Sequence, residues 1–352
     1  MQYPVISISG APFERGKQYG EAASDRIHKA ITFYEKRFAS RGVSWEDAKK
    51  RGKTFIPYIE GYLPEVLEEM RGIAEGARLS FEDILTLNCR SEILFATPDG
   101  CTCLGVPAAA TTDGHVYLGQ NWDNIRPVED VIVVVKIEQP GAPRQIMCTE
   151  AGLIGGKGMN EAGLAVVLNG LSVGKGKAGV PLHVMFRAVL QQQTISNAIG
   201  VVASAKRAGS GNFFLGSAAD FLMAVEFTPD NFDVIANDDE TPLAHTNHYL
   251  SPIFRAEDKF KGELPCTFVR LNRIKRLIKA QGADFNKDVI FNIFRDHSNY
   301  PDSICSHEDP VDPPITCHST VYSVLMDLTA KKLWITDSNP CLTDAPTEIT
   351  FD

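Results

Sequence analysis

Gly100-Cys101-Thr102-Cys103, followed by Gly119-Gln120-Asn121-Trp122-Asp123, is the stretch on which the reading of this chain turns. Both segments sit in alternating apolar runs of the kind that form strands. A cysteine therefore begins one strand, and Asn-Trp-Asp follows near the end of the next. A thiol has an ordinary pKa of about 8.5 and is a modest nucleophile until a base takes its proton. An α-amino group, at about 7.7–8.0, is such a base. If the Gly100–Cys101 amide is cut, Cys101 supplies nucleophile and base together. A glycine at the cleavage site accommodates strain and lets the thiol approach the carbonyl, and Asp123 is available to hydrogen-bond the freed amine. The competing account is a buried core cysteine, the common fate of a free thiol.

The texture of the chain changes at this point. Before it the pattern is mostly helical. A short strand, 5–9, leads to Pro12 at a helix start, and an amphipathic run continues to about Phe38. Ser44 caps a helical region reaching about Ala77, broken near Pro57 or Pro64, and Ser80 opens a helix over 81–94. Thr97-Pro98-Asp99-Gly100 is a turn signal. Strands are then expected over 101–107, 116–120, 131–139, 145–149 and 164–171. Helices over 182–192 and 195–208 precede a meander over 213–236. Two more helices, 266–280 and 286–296, lead to a last hairpin over 320–336. Strands that come in runs, with helices before, between and after them, favour an α+β, four-layer αββα sandwich over a doubly wound parallel sheet. Gly152 to Gly158 contains several glycines but lacks the helix that would receive a phosphate, so a nucleotide site is not expected there.

Composition narrows the partners. The 352 residues carry a net charge of −9, with 44% hydrophobic and 22% charged residues, ordinary globular material without a basic run. Nucleic acid and anionic membrane are poor partners for such a chain. Met1-Gln2-Tyr3-Pro4 lacks the charged-then-apolar pattern of a signal peptide, no apolar stretch approaches bilayer length, and no peroxisomal tripeptide ends the chain. The expected location is cytoplasmic. The eight cysteines, at 89, 101, 103, 148, 266, 305, 317 and 341, include no CxxC pair. Neither a disulfide framework nor a structural zinc site is expected, and the Cys101/Cys103 pair is a weak metal signal.

Other candidate residues surround the cysteine in sequence. His245-Thr246-Asn247-His248 follows a strand-like segment, and the Asn247 amide is suited to donate to the oxyanion formed when a thiolate attacks a carbonyl. The same residues could form a capping turn or a metal pair. Asn169 ends an apolar strand and either lines the same cleft or starts a turn. Arg90 and Glu92, late in a helix just before the cut site, either hold the segment before it or form ordinary ion pairs. Asn299 to Cys305, with Ser303 inside it, is dense in polar side chains but carries no readable spacing.

Taken together, these segments resemble the acyl-coenzyme A:6-aminopenicillanic acid (isopenicillin N) acyltransferase family of N-terminal nucleophile hydrolases. The residues that carry the resemblance are Asp99 to Thr102, Gly119 to Asp123, Thr149 to Gly155, Asn160 to Ala165, His245 to His248, and Asn299 to Pro301 with Ser303 to Cys305. Gly10 to Glu14 and Met70 to Ala74 add to them. The resemblance runs in order along essentially the whole chain. It implies the αββα fold and one domain over 1–352. The precursor would cut itself into a helical α chain, 1–100, and a β chain, 101–352, that stay together. It also implies Cys101 as nucleophile and N-terminal base, Asp123 as support for the amine, and Asn247 as oxyanion donor, with Asn121, Asn169, Arg90, Glu92, Ser303 and His245 in supporting or substrate-binding places. The family commonly has arginine directly after Ser-Ile-Cys, whereas this chain has Ser306, then His307. A family serine near the strand at Phe213 has no clear counterpart, Ser210 being only near it.

The resulting expectation is an amidohydrolase or acyltransferase that works by a ping-pong route on small acyl-amides or acyl-thioesters, with coenzyme A esters among the candidate substrates and no cofactor. One alternative is a cysteine peptidase using Cys101, His245 and Asn247 without self-cleavage. The other is a catalytically idle binding relative.

Overall fold

The computed structural model describes residues 3–94, 100–174, 176–236, 241–313 and 317–352. The turn expected at Thr97 to Asp99 lies outside them. The helices before that turn start where their caps place them. Pro12 is the first residue of α1 (Pro12–Ala22), and α2 (Ser24–Ser40) follows directly. The Ser44 side chain accepts from the Asp47 amide at the start of α3 (Trp45–Lys53). Ser80 and Asp83 form a reciprocal capping box on α6 (Phe81–Asn88), which satisfies amides that a helix start otherwise leaves bare. The region expected to break near a proline breaks twice, giving α4 (Ile56–Glu60) and α5 (Glu65–Ala77). The helix expected over 81–94 divides at Cys89, and α7 (Arg90–Leu94) completes it.

Helices α1 and α5 lie almost backbone to backbone. A Cβ built on Gly16 would stand 2.1 Å from the Glu69 carbonyl oxygen, and one on Gly72 would stand 2.1 Å from that of Phe13. Glycine is required there for space.

Two sheets follow. The first has eight strands in the order β1 (Val5–Ser9), β4 (Ile132–Glu138), β5 (Gln145–Glu150), β6 (Lys157–Asn160), β7 (Leu164–Gly170), β8 (Gly211–Ser217), β9 (Phe221–Phe227) and β10 (Phe232–Ala236). Among the described residues, only the β1–β4 pair in it is parallel. The second is antiparallel, in the order β11 (Leu243–His245), β2 (Gly100–Val106), β3 (Tyr117–Ile125), β12 (His318–Asp327), β13 (Lys332–Ile335) and β14 (Thr347–Ile349). The sheets meet face to face. Across the gap the Gln120 side chain donates to the Leu168 carbonyl at 2.6 Å and accepts from the Leu168 amide at 3.1 Å. Helices α8 (Leu182–Leu190) and α9 (Ile195–Ser204) cover the first sheet, alongside the N-terminal helices. Helix α10 (Phe260–Glu263) is a single turn. Helices α11 (Cys266–Gln281) and α12 (Lys287–Phe294) close the other side, where Leu271, Ile274, Phe291 and Phe294 pack on Leu104, Val106 and Leu325. The αββα layering expected from the sequence is the layering found.

Three differences have physical causes. Strand β3 runs on to Ile125, past the end at Gln120 expected from the sequence, because every polar side chain in it has an internal partner. Asn121 donates to the Phe294 and Ile304 carbonyls at 2.9 and 2.8 Å, Asp123 accepts from Thr320, and Asn124 accepts from Arg37 at 3.1 Å. Strand β6 escapes the sequence pattern because its residues, Lys-Gly-Met-Asn, are poor strand formers. A Cβ on Gly158 would stand 2.1 Å from the Ile146 oxygen, and one on Gly155 2.0 Å from the His183 oxygen, so the glycines of 152–158 include some that admit close backbones. Strand β14 and helix α10 are too short for periodicity to show. Among the described residues no helix is long and apolar enough to cross a membrane.

Candidate active site

Cys101 is the second residue of β2, covered on both sides and 2% exposed. It pairs with Trp122, and Gly100 pairs with Asp123. Its backbone amide donates to Asn247 Oδ1 at 2.8 Å. Arg270 Nη2 donates to the same Oδ1 at 2.9 Å. Two donors converging on one atom fix the orientation of the Asn247 amide, since only its oxygen can receive both. Its Nδ2 then faces Gly170, donating to that carbonyl at 3.2 Å, while its backbone amide donates to Thr267 Oγ1 at 2.7 Å. Nδ2 therefore lies on the side of Gly170.

Arg270 was not among the residues expected from the sequence. It projects from α11, 2% exposed, and donates to the Cys101 carbonyl at 2.6 Å and to Thr102 Oγ1 at 3.0 Å. Burial works against its charge, but the neighbouring Cys266 and Asp123 outweigh that and raise its pKa above the ordinary value. This chain lacks arginine at 306, yet a buried guanidinium stands beside Cys101, brought from another element. A signal did exist in the sequence. Thr267, Arg270, Leu271 and Ile274 fall at the i, i+3, i+4, i+7 spacing of one helix face, and all four are buried.

Asp123 sits across from Gly100. A Cβ on Gly100 would stand 2.5 Å from Asp123 Oδ2 and 2.8 Å from Asp123 Cβ. Position 100 is therefore glycine for space as well, and the Asp123 carboxylate lies directly against the bond expected to break. Thr320 Oγ1 donates to Asp123 Oδ1 at 2.6 Å and holds it in place. Asn169 also reaches the site, with Nδ2 3.4 Å from the Cys101 carbonyl and 3.3 Å from that of His245. Its Oδ1 accepts from Asn212 at 3.0 Å, a further residue the sequence did not single out.

Other candidates go elsewhere. His245 ends β11 with both ring nitrogens engaged, one with Glu226 Oε1 at 2.8 Å and the other with the Thr246 carbonyl at 2.7 Å. A ring so held is not placed as the base of a Cys-His-Asn triad. Ser303 donates to the Cys305 carbonyl at 2.6 Å, a local turn contact. Asn121 braces β3 against α12. Arg90 pairs with Glu150 and His183 and lies 5.0 Å from the centre of the Tyr34 ring. Of its two readings the ion pair is the one found.

Glu92 reaches the cleft. Its Oε1 accepts from the Leu182 amide at 2.7 Å, capping α8, while its Oε2 is buried without a hydrogen-bond partner among the described residues. Burial raises its pKa. The cleft, with an empty volume of about 930 Å³ counted out to solvent, is lined by Cys101, Trp122, Glu92, Ser210 and apolar groups that include Met185 and Phe260. Lys157 Nζ stands 3.8 Å from the centre of the Trp122 ring. Cys103 shares the face of Cys101, as the spacing predicts, and burial holds its thiol well above its ordinary pKa. Among the described residues, the side chains placed to ligate a metal are a separate group, His297, Cys305, His307 and Cys341.

The family model for acyl-coenzyme A:6-aminopenicillanic acid acyl-transferase matches residues 110–341. The acyl-coenzyme A:6-aminopenicillanic-acid-acyltransferase 40 kDa form of Emericella nidulans is 29% identical over 357 residues, covering 98% of this chain and 96% of that protein. Among solved structures, a conjugated bile acid hydrolase variant from Clostridium perfringens aligns at TM-score 0.49 and 13% identity, over 71% of this chain and 92% of its own. Penicillin V acylase from Agrobacterium tumefaciens aligns at TM-score 0.38 and 13% identity, over 70% and 84%.

Proposed function

The chain belongs to the acyl-coenzyme A:6-aminopenicillanic acid acyl-transferase family, and from that premise we propose a cysteine amidohydrolase or acyltransferase that activates itself by cutting before Cys101. The observation that carries the proposal is the placement of Cys101. Its nitrogen is held by Asn247 Oδ1, its carbonyl by Arg270 and Asn169, and its thiol-bearing residue lines an apolar cleft. These contacts hold the residue on both sides of the Cα, so it stays in place once the Gly100–Cys101 bond is gone. The released amine would remain beside Asn247 Oδ1.

In the proposed reaction the Cys101 sulfur attacks the carbonyl of an acyl-amide or acyl-thioester, its proton passing to the α-amine. The tetrahedral oxyanion takes a hydrogen bond from Asn247 Nδ2. The leaving amine or thiol departs with the proton from the α-ammonium, leaving a thioester on Cys101. Water or a second amine then takes the acyl group and restores the thiol. Asp123 supports the amine, and the Arg270 charge favours the thiolate. The mainly apolar cleft suits an apolar acyl group, and Glu92 and Ser210 offer polar partners at its wall. Small acyl-amides and coenzyme A esters are the substrates proposed, with cytoplasmic location the accompanying expectation.

The test is capture of the intermediate. Incubation with a panel of N-acyl amides and acyl-thioesters, followed by rapid acid quench and peptide mass analysis, should show one acyl group on the peptide that begins at Cys101. Acyl release without any adduct at Cys101, and turnover that persists in Cys101→Ala, would contradict the proposal.

A further inference from the structure

A second group of reactive side chains lies outside the reaction just described. His297 and His307 present their Nε2 atoms to one another at 3.1 Å. Cys305 Sγ lies 3.6 Å from His307 Nε2 and 3.6 Å from Cys341 Sγ. Cys341 Sγ lies 3.4 Å from His307 Nε2. All four atoms are within 4.8 Å of one another. Zinc holds sulfur at about 2.3 Å and imidazole nitrogen at about 2.0–2.1 Å in a tetrahedron. The edges of that tetrahedron are about 3.8 Å for S–S, about 3.6 Å for S–N and about 3.3 Å for N–N. These four separations lie within about 0.2 Å of the corresponding edges, and the two from His297 to the sulfurs, within 4.8 Å, would close to about 3.6 Å as the exposed His297 ring swings onto the metal.

We propose that His297, Cys305, His307 and Cys341 form a structural zinc site of the Cys2His2 type. Four protein ligands close the coordination shell, which leaves no position for a substrate, so the metal's work is structural. Binding forms two Zn–S and two Zn–N bonds. The two thiol protons go to solvent, and the imidazoles bind as neutral donors. Spacing alone argued against a structural zinc, because ligands at 297, 305, 307 and 341 contain no CxxC pair. The chain joins them through the fold instead.

The surroundings fit that assignment. Asn339 Nδ2 stands 3.7 Å from Cys305 Sγ and donates to the Ser306 carbonyl at 2.6 Å, the outer support that ligating sulfur requires. The site also backs onto Asp123. The Ser306 amide donates to Thr320 Oγ1 at 2.9 Å, and that hydroxyl donates to Asp123 Oδ1 at 2.6 Å. A zinc ion would tie the 297–307 segment to Cys341 and so fix the support under Asp123.

The test measures metal in the full chain, produced in zinc-supplemented medium and dialysed against zinc-free buffer. Elemental analysis should find one zinc per chain, and replacement by cobalt should give thiolate-to-cobalt charge transfer with the visible bands of a tetrahedral site. Cys341→Ser should take the zinc content toward zero. His297 is exposed, so His297→Ala should keep the fold while releasing zinc to a chelator at least tenfold faster. Three results would overturn the site: no zinc in the wild type with both thiols free, a mass lower by two hydrogens that marks a Cys305–Cys341 disulfide, or a zinc content unchanged in both variants.

Discussion

Two buried arginines divide this molecule between structure and chemistry. Arg90, on α7, is met by the Glu150 carboxylate, whose other oxygen takes the Tyr34 hydroxyl at 2.5 Å, while the Tyr34 ring lies under the guanidinium. Its charge is answered where it stands. Arg270, on α11, is held by the oxygens of Cys101, Thr102 and Asn247. Those oxygens are dipoles, while the neighbouring Asp123 and Cys266 favour its charged form. Residue type and burial are alike in the two places. What separates them is that Arg90 is ion-paired with a carboxylate, whereas Arg270 is hydrogen-bonded to the Cys101 carbonyl.

Variants should separate the two regions in order of effect. Cys101→Ala should remove turnover by about 10⁶-fold, the scale of losing a nucleophile, and should leave the chain uncut, while far-UV circular dichroism stays that of the precursor. Arg90→Leu strands Glu150 without its partner and should cost about 3–5 kcal/mol in denaturant unfolding. At low denaturant the rate of Cys101 alkylation should stay that of the wild type, and a change in it would erase the distinction between the clusters. Asn247→Ala should lower kcat/KM by about 2.7–4 kcal/mol through the oxyanion donor with a smaller effect on unfolding. Arg270→Gln should move the pH profile of Cys101 alkylation upward, whereas a purely structural arginine would leave that profile where it is.

The smallest effect concerns Glu92. Burial raises its folded pKa above the ordinary 4.5, so the folded state holds the proton more tightly than the unfolded state. The stability this contributes is complete below about pH 4.5 and is lost as pH rises through the raised value. Glu92→Gln keeps the acceptor for the Leu182 amide and should flatten that slope in urea titrations run at successive pH values. An unchanged slope would place the titration elsewhere.

How much of this was legible depended on whether function sits in a local string. Cys101, Asp123 and Asn247 lie in short distinctive segments, and the layer order followed from where strands cluster. Arg270 lies in a helix carrying Arg273, Lys275, Arg276 and Lys279, which reads as a solvated basic face until the buried stripe is traced. The polar run of β3 hid how far that strand extends because its partners, Leu168, Phe294, Ile304, Thr320 and Arg37, are distant in sequence. The sequence favours glycine at position 100 for strain and access to the carbonyl, whereas the close approach of Asp123 is visible only once β2 and β3 are paired.

The central claim is that Cys101 becomes an N-terminus, and the intact mass of freshly purified protein tests it most directly. The account predicts two species, 1–100 and 101–352, from the wild type and one full-length species from Cys101→Ala. A wild-type chain that stays whole while it turns over acyl-amides would contradict it.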